Sequence, residues 1–436
     1  MARGLGFFTV CLAGLALFSS SAAHADDLVV TRNVTIRVAP ARQSERVEFP
    51  AIGDRLELLD DGQQQSGYYH VRLPDGRTGW VYRTFVHREP SPPAPFVSGP
   101  ASAPEALTGG SAMTVHYLDM DQGNAAIVEF PCAAVLIDSG GRDPVAAGRL
   151  KANLDAFFAR RTDLGRRFAA VYVTHTHLDH NTTLGTLIYN YRVGAYIDNG
   201  RLVGSGDKDA VWMAAYARDA TPKVERAIVL EKDVRAAGAQ GLTSAVIDPV
   251  SCAGVDPRIR VLSGGRERSD NPGWSNDDFD NGNNHSIVIR IDYGEASFLF
   301  PGDLENAGIT DLLSQYGASG LLDVDVLEVS HHGAENGTTP QLLAAVTPEV
   351  AVMSMGPESV QGQWTAFAYG HPRLKTVQLL RGAVSGSRAP KDVRVANAVR
   401  SFETLRMDRA VYGTGWDGTV TVTADAQGRI SVKTER

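Results

Sequence analysis

The sequence predicts an α/β layered domain preceded by a small all-β module. From residue 112 onward, strand-like segments are followed by segments with helical spacing, which is typical of an α/β layered protein. Residues 27–88 instead contain only short alternating stretches separated by turn residues, which predicts strands without helices. A cluster of histidines and aspartates directly after the buried strand at residues 171–173 indicates a metal site in the α/β domain.

Residues 1–25 have the features of an export signal. Arg3 provides a basic start, residues 5–18 form an apolar run too short for a stable membrane span, and residues 23–25 read A-x-A, a cleavage site. An uncleaved anchor is the alternative. Cleavage changes the formal net charge from −8 to −9, which gives no overall attraction to nucleic acid or anionic lipid. The sequence therefore predicts a periplasmic or extracellular protein.

Two cysteines, Cys132 and Cys252, remain after cleavage. In an oxidising compartment they can form a disulfide, and two separate buried thiols are the alternative that the sequence leaves open. The sequence shows no internal repeat or heptad pattern and does not indicate an oligomeric state.

The module at residues 27–88 is rich in aromatic residues. Its order of short strands resembles bacterial SH3-type domains, and that resemblance implies binding to cell-wall peptidoglycan. Trp80 is predicted to fill the small barrel. Tyr68, Tyr69 and Tyr82 either join it there or line a binding groove.

A proline-rich linker at residues 89–111 separates this module from the α/β domain at 112–436. Apolar residues at helical spacing predict helices over 144–161 and from residue 182, just after the histidine cluster. Residues 220–284 are predicted to be long and irregular, ending in a turn-rich loop.

The pattern His175-x-His177-x-Asp179-His180 follows the buried strand. Residues two apart in extended chain point to the same side, so His175 and His177 can reach one metal ion. Asp179 and His180 follow at the turn and can reach a second ion. Imidazole with carboxylate suits Zn²⁺ or Mn²⁺. A chance clustering of histidines in a polar loop is the alternative.

This pattern resembles the metal-binding signature of the metallo-β-lactamase fold, an αββα sandwich. Residues 112–433 as a set are similar to the hydrolase domain of ComEC-type DNA-uptake proteins. Four further motifs carry the resemblance: residues 115–141 with Asp138, 283–305 with Asp303, 326–337 with His331 and His332, and 369–373 with His371.

The resemblance implies two divalent ions per chain, zinc being favoured over manganese. The first would be held by His175, His177 and, unless it is merely adjacent, His285. The second would be held by Asp179, His180 and one of His331 and His332, of which the one nearest the strand end is favoured. Asp303 would bridge the ions, and Asp138 would orient a ligand. His371 either binds a phosphate, completes the metal site as a further ligand, or braces its loop.

Paired ions can lower the pKa of a bridging water and stabilise the charge that develops on the substrate. The predicted catalytic residues are Asp179, which would align the attacking hydroxide, and His371. Residues 371–409 contain nine lysines and arginines against three acids, a balance of +6. This basic segment either tracks a phosphodiester backbone or is a solvated helix face. The sequence thus favours an exported phosphodiesterase or nuclease. The alternatives are a hydrolase of a lactone, β-lactam or other envelope ester, and a cell-wall-binding protein with a vestigial site.

Overall fold

The computed structural model describes residues 27–31, 34–41, 43–48, 50, 54–60, 63–89, 112–142 and 145–436. The chain divides into two compact units, Met1–Ala106 and Leu107–Arg436. The predicted export signal and residues 90–111 of the predicted linker lie outside the described residues. Among the helices that the structure describes, none has the length and apolar character needed to cross a bilayer.

The described part of the first unit is a single antiparallel sheet with the order β3-β2-β7-β6-β4-β1-β8 and with β5 paired to β6. Its strands are β1 (Asp27–Val30), β2 (Ile36–Arg37), β3 (Arg46–Glu48), β4 (Arg55–Leu58), β5 (Gln64–Gln65), β6 (Tyr68–Arg72), β7 (Thr78–Tyr82) and β8 (Val86–Glu89). The sheet encloses a small aliphatic core that includes Leu28, Ile36, Leu56, Val71 and Val81.

The prediction that Trp80 fills this core is wrong. In β7, Gly79 and Val81 are buried, while Trp80 and Tyr82 are only half-buried. The two-residue period of a strand places Trp80 on the opposite face from Val81, where its ring stacks on His70 with centroids 4.7 Å apart. The small all-β unit is as predicted, while its SH3-type identity and a peptidoglycan groove stay predictions.

The second unit contains two main sheets and a separate hairpin. The first sheet has the order β14-β13-β12-β11-β10-β9-β23-β24, the second β15-β16-β17-β18-β19-β22, and β20 pairs with β21. The strands are β9 (Ala112–Tyr117), β10 (Ala126–Glu129), β11 (Ala134–Ile137), β12 (Arg167–Tyr172), β13 (Arg192–Asp198), β14 (Glu225–Ile228), β15 (Arg258–Ser263), β16 (Val288–Tyr293), β17 (Ala296–Phe300), β18 (Val326–Glu328), β19 (Val350–Met353), β20 (Ser387–Ala398), β21 (Ser401–Arg409), β22 (Val411–Gly413), β23 (Val420–Asp425) and β24 (Ile430–Thr434).

Helices cover the outer faces of the two sheets. They are α1 (Ala146–Arg160), α2 (Leu178–Asn181), α3 (Leu184–Asn190), α4 (Asp207–Asp219), α5 (Glu231–Ala236), α6 (Asn276–Asp280), α7 (Asn306–Tyr316), α8 (Pro340–Val346), α9 (Ala366–Tyr369), α10 (Leu374–Ala383) and α11 (Thr414–Asp417). The helix predicted over 144–161 is α1, and the helix predicted after the histidine cluster is α3.

The two sheets pack face to face with helices outside, which is the predicted αββα sandwich. Along β11, Val135 and Ile137 join the core between the sheets. Ala134 and Leu136 join the core under the first-sheet helices. Strands buried on both faces read as continuous apolar runs, as β11 and β12 do. The loops at the carboxyl ends of β12, β17 and β18 supply the site described below.

Two predictions about the second unit have clear outcomes. The prediction that residues 220–284 are irregular is wrong, because this segment contains β14, α5 and β15. Both strands lie at sheet edges, and β14 has no fully buried residue, so its sequence lacks a strong apolar signal. The structure pairs Cys132 with Cys252 in a disulfide that joins the β10–β11 turn to a distant loop, which removes the alternative of two separate thiols.

Candidate metal centre and active site

The histidine-rich loop leaves β12 and brings its four predicted ligands together. The short helix α2 carries Asp179 and His180 and begins directly after His177. Nε2 of His175 lies 3.0 Å from Nδ1 of His177, and the ring centroids of His175 and His180 are 4.2 Å apart. The H-x-H pair therefore converges, as alternate residues of an extended segment do.

Asp303 follows β17 and lies at the centre of the cluster. Its Oδ1 is 3.2 Å from Nε2 of His180, and its Oδ2 is 3.9 Å from Nε2 of His175. The preceding Gly302 has a φ of +58°. A Cβ on Gly302 would lie 2.7 Å from Cβ of Thr174, so glycine is what lets this loop approach the histidine loop.

The loop after β18 places two histidines differently. His331 and His332 have φ of 51° and 52°. His332 is buried and donates from Nδ1 to the Ser354 carbonyl over 2.5 Å. Its Nε2 is thereby turned to within 3.7 Å of Oδ2 of Asp179. His331 instead hydrogen-bonds Asn336 through Nδ1.

The histidine nearest the strand end, His331, is therefore not the one that the geometry favours as a ligand. Two consecutive left-handed residues reverse the chain and turn the second ring, that of His332, into the cluster. Nε2 of His332 also lies 3.5 Å from Oδ2 of Asp303, closer than the 4.0 Å of Nε2 of His331.

The assembled side chains fit a divalent metal centre. The Nε2 atoms of His180 and His332 are buried and have no hydrogen-bond partner among the described residues. Such atoms are costly to bury unless another group satisfies them, and a cation bound by imidazole and carboxylate would do so. Two sets of candidate ligand atoms, each within 4.8 Å of one another, are His175, His180 and Asp303, and Asp179, His180 and His332.

This grouping differs from the predicted division between two ions. His180 belongs to both sets, and His177 belongs to neither, although its ring touches that of His175. Asp303 faces the histidines of both sets, which is the geometry that a bridging carboxylate requires.

His285 lies outside the cluster, contrary to its prediction as a ligand. It is fully buried. Its Nε2 donates to the Phe279 carbonyl over 2.8 Å, and its Nδ1 accepts the Arg266 amide over 3.0 Å. Both ring nitrogens are therefore used, and no lone pair remains for a metal. His285 instead links Phe279 to Arg266 through these two hydrogen bonds, just before β16 begins.

The cluster forms the floor of a cavity of about 310 Å³. His371 lines it, and the Nδ1 of His371 is buried without a hydrogen-bond partner among the described residues. The Arg373 amide donates to the Gly333 carbonyl over 2.9 Å, which holds the His371 loop against the loop after β18. The other lining residues are Gln122, Arg142, His177, Asp179, Ser205, Asn283, Asp303, His331, His332, Trp364 and Tyr369.

Residues 118–356, more than half of the chain, match the family profile of the metallo-beta-lactamase superfamily. The chain belongs to this superfamily. Membership implies that the cluster binds divalent metal and that the protein is a hydrolase. The strand order and the αββα layers described above agree with it.

Several relatives of this superfamily member are competence-type proteins, which confirms the resemblance. It is 33% identical to Recombination protein 2 of Haemophilus influenzae over 114 residues, 26% of this chain and 13% of the relative. It is 35% identical to Competence protein ComA of Neisseria gonorrhoeae over 105 residues, 24% and 15% respectively. The chain thus matches only a small part of each. The crystal structure of YhfI from Bacillus subtilis aligns with 68% of this chain and 99% of its own, at 11% identity and a TM-score of 0.35.

Asp138 lies behind the metal centre of this superfamily member. Its carboxylate is fully buried and accepts hydrogen bonds from the Thr174 amide, at 2.7 Å, and from the Asn124 side chain, at 3.1 Å. Oδ2 also faces Nδ1 of His180 at 2.7 Å. Asp138 thus contacts a candidate ligand and belongs to neither set of candidate ligand atoms, and its orienting role stays a prediction.

Glu328 is a buried part of the site that the sequence reasoning missed. Its carboxyl group lies 3.4 Å from Nδ2 of Asn124 and 3.4 Å from the Ser354 hydroxyl. Burial, together with the nearby Asp138 carboxylate, raises the pKa of Glu328 to about 8. The available signal was a charged residue inside the apolar strand β18, four residues before His332.

The charges around the cluster favour neutral His175 and His177, a protonated His180 and an ionised Asp303. Burial lowers the pKa of His175 well below its usual value and also lowers that of His177. Burial would likewise lower the pKa of His180, but the carboxylates of Asp303 and Asp138 outweigh it and raise that pKa. Burial would raise the pKa of Asp303, but His180 and its neighbours hold it well below its usual value. A cation would replace the proton that these groups share.

The basic segment at 371–409 is not a solvated helix face. After α10 it continues as the β20–β21 hairpin. Within the described part of the chain, six of its nine lysines and arginines form ion pairs, and three of their acidic partners, Glu335, Glu358 and Asp417, come from outside the segment. The hairpin therefore does not present the row of free cations that the sequence suggests.

Proposed function

We propose that this chain is an exported, metal-dependent phosphodiesterase that acts on nucleic acid. The observation that carries the proposal is the position of Asp303, whose two oxygens face His180 on one side and His175 and His332 on the other. This arrangement lies at the floor of an accessible cavity and suits a two-ion centre, with zinc favoured and manganese the alternative.

Divalent ions bound there would supply Lewis-acid activation of water and of the phosphoryl group. Asp179 holds a ligand position and also lines the cavity, so it orients the attacking water. His371 lines the same cavity, and its Nδ1 has no hydrogen-bond partner among the described residues, so the imidazole would hold a phosphoryl oxygen. Asp138 fixes the ring of His180 from behind.

The choice of nucleic acid as substrate rests on the relatives. Recombination protein 2 and Competence protein ComA carry names that concern recombination and competence, processes that handle DNA. The matched segments are short, so this support concerns the hydrolase domain alone.

The proposal of export rests on the amino-terminal pattern and on the cysteines. The Cys132–Cys252 disulfide closes a long loop, and such bonds persist in oxidising compartments. Thiol titration of the denatured protein from the envelope fraction should find no free thiol in these two residues, and mass spectrometry should show loss of residues 1–25. Free thiols, or an intact terminus in a cytoplasmic fraction, would contradict export.

The decisive experiment compares three substrates: single-stranded DNA, bis-p-nitrophenyl phosphate and nitrocefin. The purified protein should contain up to two transition-metal ions and should hydrolyse both phosphodiesters but not nitrocefin. Chelator should abolish hydrolysis, and metal should restore it. Asp179→Ala should lose at least about a hundredfold in kcat, because it removes both a ligand and the group that orients water. Hydrolysis of nitrocefin alone would favour the ester or β-lactam alternative, and no metal with no activity would favour a vestigial site.

A further inference from the structure

Trp364 is an exposed aromatic residue in a strained conformation at the rim of the cavity. Its exposed fraction is 53%, and its φ is +64°. A bulky residue rarely adopts this left-handed conformation, and such strain is concentrated at functional sites. The indole nevertheless lines the cavity above the metal centre.

A continuous run of rings connects Trp364 with the metal centre. The ring centroids of Trp364 and Tyr369 are 6.3 Å apart, those of Tyr369 and His371 are 5.6 Å apart, and those of His371 and His332 are 6.4 Å apart. The last two pairs are close to parallel, with interplanar angles of 20° and 22°. The outer end of the run is open, whereas His371 and His332 are buried.

Arg142 adds a cation to the same rim. Its guanidinium carbon lies 4.5 Å from the centre of the Trp364 ring, and Arg142 lines the cavity. Among the described residues, no carboxylate forms a salt bridge with Arg142, in contrast to most of the basic hairpin. A guanidinium that contacts an aromatic ring through its carbon can still donate its N–H groups to a phosphate.

We propose that Trp364, Tyr369 and Arg142 form a recognition subsite for a nucleotide next to the cleaved phosphodiester. The nucleobase stacks on the exposed indole and on the half-buried phenol ring, and Arg142 contacts the adjoining phosphate. The inference rests on the proposed function and deepens it: the substrate is a single strand or an unpaired end, because a base within a duplex cannot offer its face to a ring.

The chemistry of the rim favours a nucleotide over a neutral glycan. A sugar can pack on an aromatic face, but it would leave Arg142 without an anionic partner. Stacking on aromatic rings tolerates any base, since every base has a π face. The subsite therefore predicts little sequence preference and a requirement for bases.

The test compares a single-stranded oligothymidylate with an abasic deoxyribose-phosphate strand of equal length. The metal-loaded wild-type protein should show a higher kcat/KM for the base-bearing strand. Trp364→Ala should reduce the ratio of the two values by about tenfold, toward one. Trp364→Phe should restore most of the ratio, because it keeps an aromatic face. Arg142→Gln should raise KM and reduce the slope of log kcat/KM against log salt by about one.

Tyr189→Ala is the matched control, because Tyr189 is 63% exposed and does not line the cavity. It should leave both substrates unchanged. A second readout is quenching of tryptophan fluorescence by a phosphorothioate oligothymidylate, which should fall by more than half in Trp364→Phe. An unchanged ratio in Trp364→Ala, or a wild-type ratio of one, would overturn the subsite alone. Absence of hydrolysis of either strand and of bis-p-nitrophenyl phosphate by metal-loaded protein would overturn the proposed function, and the subsite with it.

Discussion

Oδ2 of Asp138 lies 2.7 Å from Nδ1 of His180, and Nε2 of the same imidazole lies 3.2 Å from Oδ1 of Asp303. The His180 ring thus lies between two carboxylates. Asp138 orients the ring through Nδ1, and Asp303 is a candidate ligand for the same metal ion as Nε2. When Nδ1 donates to Asp138, the lone pair on Nε2 must face the metal centre. A carboxylate behind a ligand histidine acts in this way, because it fixes the tautomer and the orientation of the ring.

The first prediction follows from this contact. Asp138→Asn keeps the side-chain volume but weakens acceptance of the His180 N–H and of the Thr174 amide. We expect metal affinity and kcat to fall by about ten- to hundredfold, less than for Asp179→Ala. Metal content after dialysis against graded chelator and kcat on bis-p-nitrophenyl phosphate measure the two effects. Asp219→Asn, at an exposed site on α4, is the control. Unchanged metal affinity in Asp138→Asn would refute the orienting role.

The second prediction separates two buried histidines. His332→Gln removes a side chain whose Nε2 faces Asp179 and Asp303, so metal content and kcat should both collapse. His285→Gln breaks two hydrogen bonds in a turn and should lower the free energy of unfolding by about 1–3 kcal/mol. The folded His285→Gln protein should keep its metal. Metal analysis beside urea denaturation distinguishes the outcomes, and loss of metal from folded His285→Gln alone would reverse the assignment.

The fold and the H-x-H-x-D-H loop were predictable because their signals are local. Period-two and period-3.6 patterns identify strands and helices. Alternate residues of an extended chain point to the same side, and this does not depend on the rest of the fold. Asp303 and Asp138 entered through the family resemblance, and the structure places both beside His180.

The misplaced residues depend on information that is not local. The choice between His331 and His332 is decided by two left-handed φ values and by the Ser354 carbonyl. The exclusion of His285 is decided by the Arg266 amide, 19 residues away. Trp364 was missed because its exposure and its ring contacts arise only when its loop meets Arg142. A single sequence does not specify such contacts between residues that are distant along the chain.

The third prediction concerns the pH dependence of stability. Glu129 is mostly buried and pairs with His116, Arg160 and Arg161. Burial would raise its pKa, but these three partners outweigh burial and hold the pKa of Glu129 well below its ordinary value of 4.5. The ionised group therefore stabilises the fold above about pH 4.5, and this contribution is lost as the pH falls below that value.

Glu129→Gln should accordingly lower the free energy of unfolding by about 2 kcal/mol at pH 7. The difference from the wild type should shrink as the pH is lowered from 4.5 towards 3. Urea denaturation at several pH values measures it, with the exposed Glu225→Gln as control. A difference independent of pH would show that the side chain acts through packing and not through its charge.

The last prediction concerns the arginines of the hairpin and of α10, which the sequence associates with DNA binding. Nε of Arg394 lies 2.5 Å from Glu358, and Nε of Arg381 lies 3.1 Å from Asp408. Both pairs are solvent-exposed, so each contributes little to stability, and each carboxylate offsets the charge of its arginine toward a distant phosphate. Replacing either arginine by alanine removes one positive charge at a solvent-exposed position, where screening by water and salt leaves only a small change in the field at the cavity.

We therefore expect Arg381→Ala and Arg394→Ala to change kcat/KM on single-stranded DNA by less than about threefold, with little change in its salt dependence. Arg142→Gln, measured in parallel, should reduce both because its guanidinium lies at the cavity rim without a carboxylate partner among the described residues. The measurement is kcat/KM on DNA and on bis-p-nitrophenyl phosphate at two salt concentrations. If the hairpin and α10 variants lose most of their activity on DNA while Arg142→Gln does not, the polyanion follows the hairpin, and the ion pairs seen there must open when it binds.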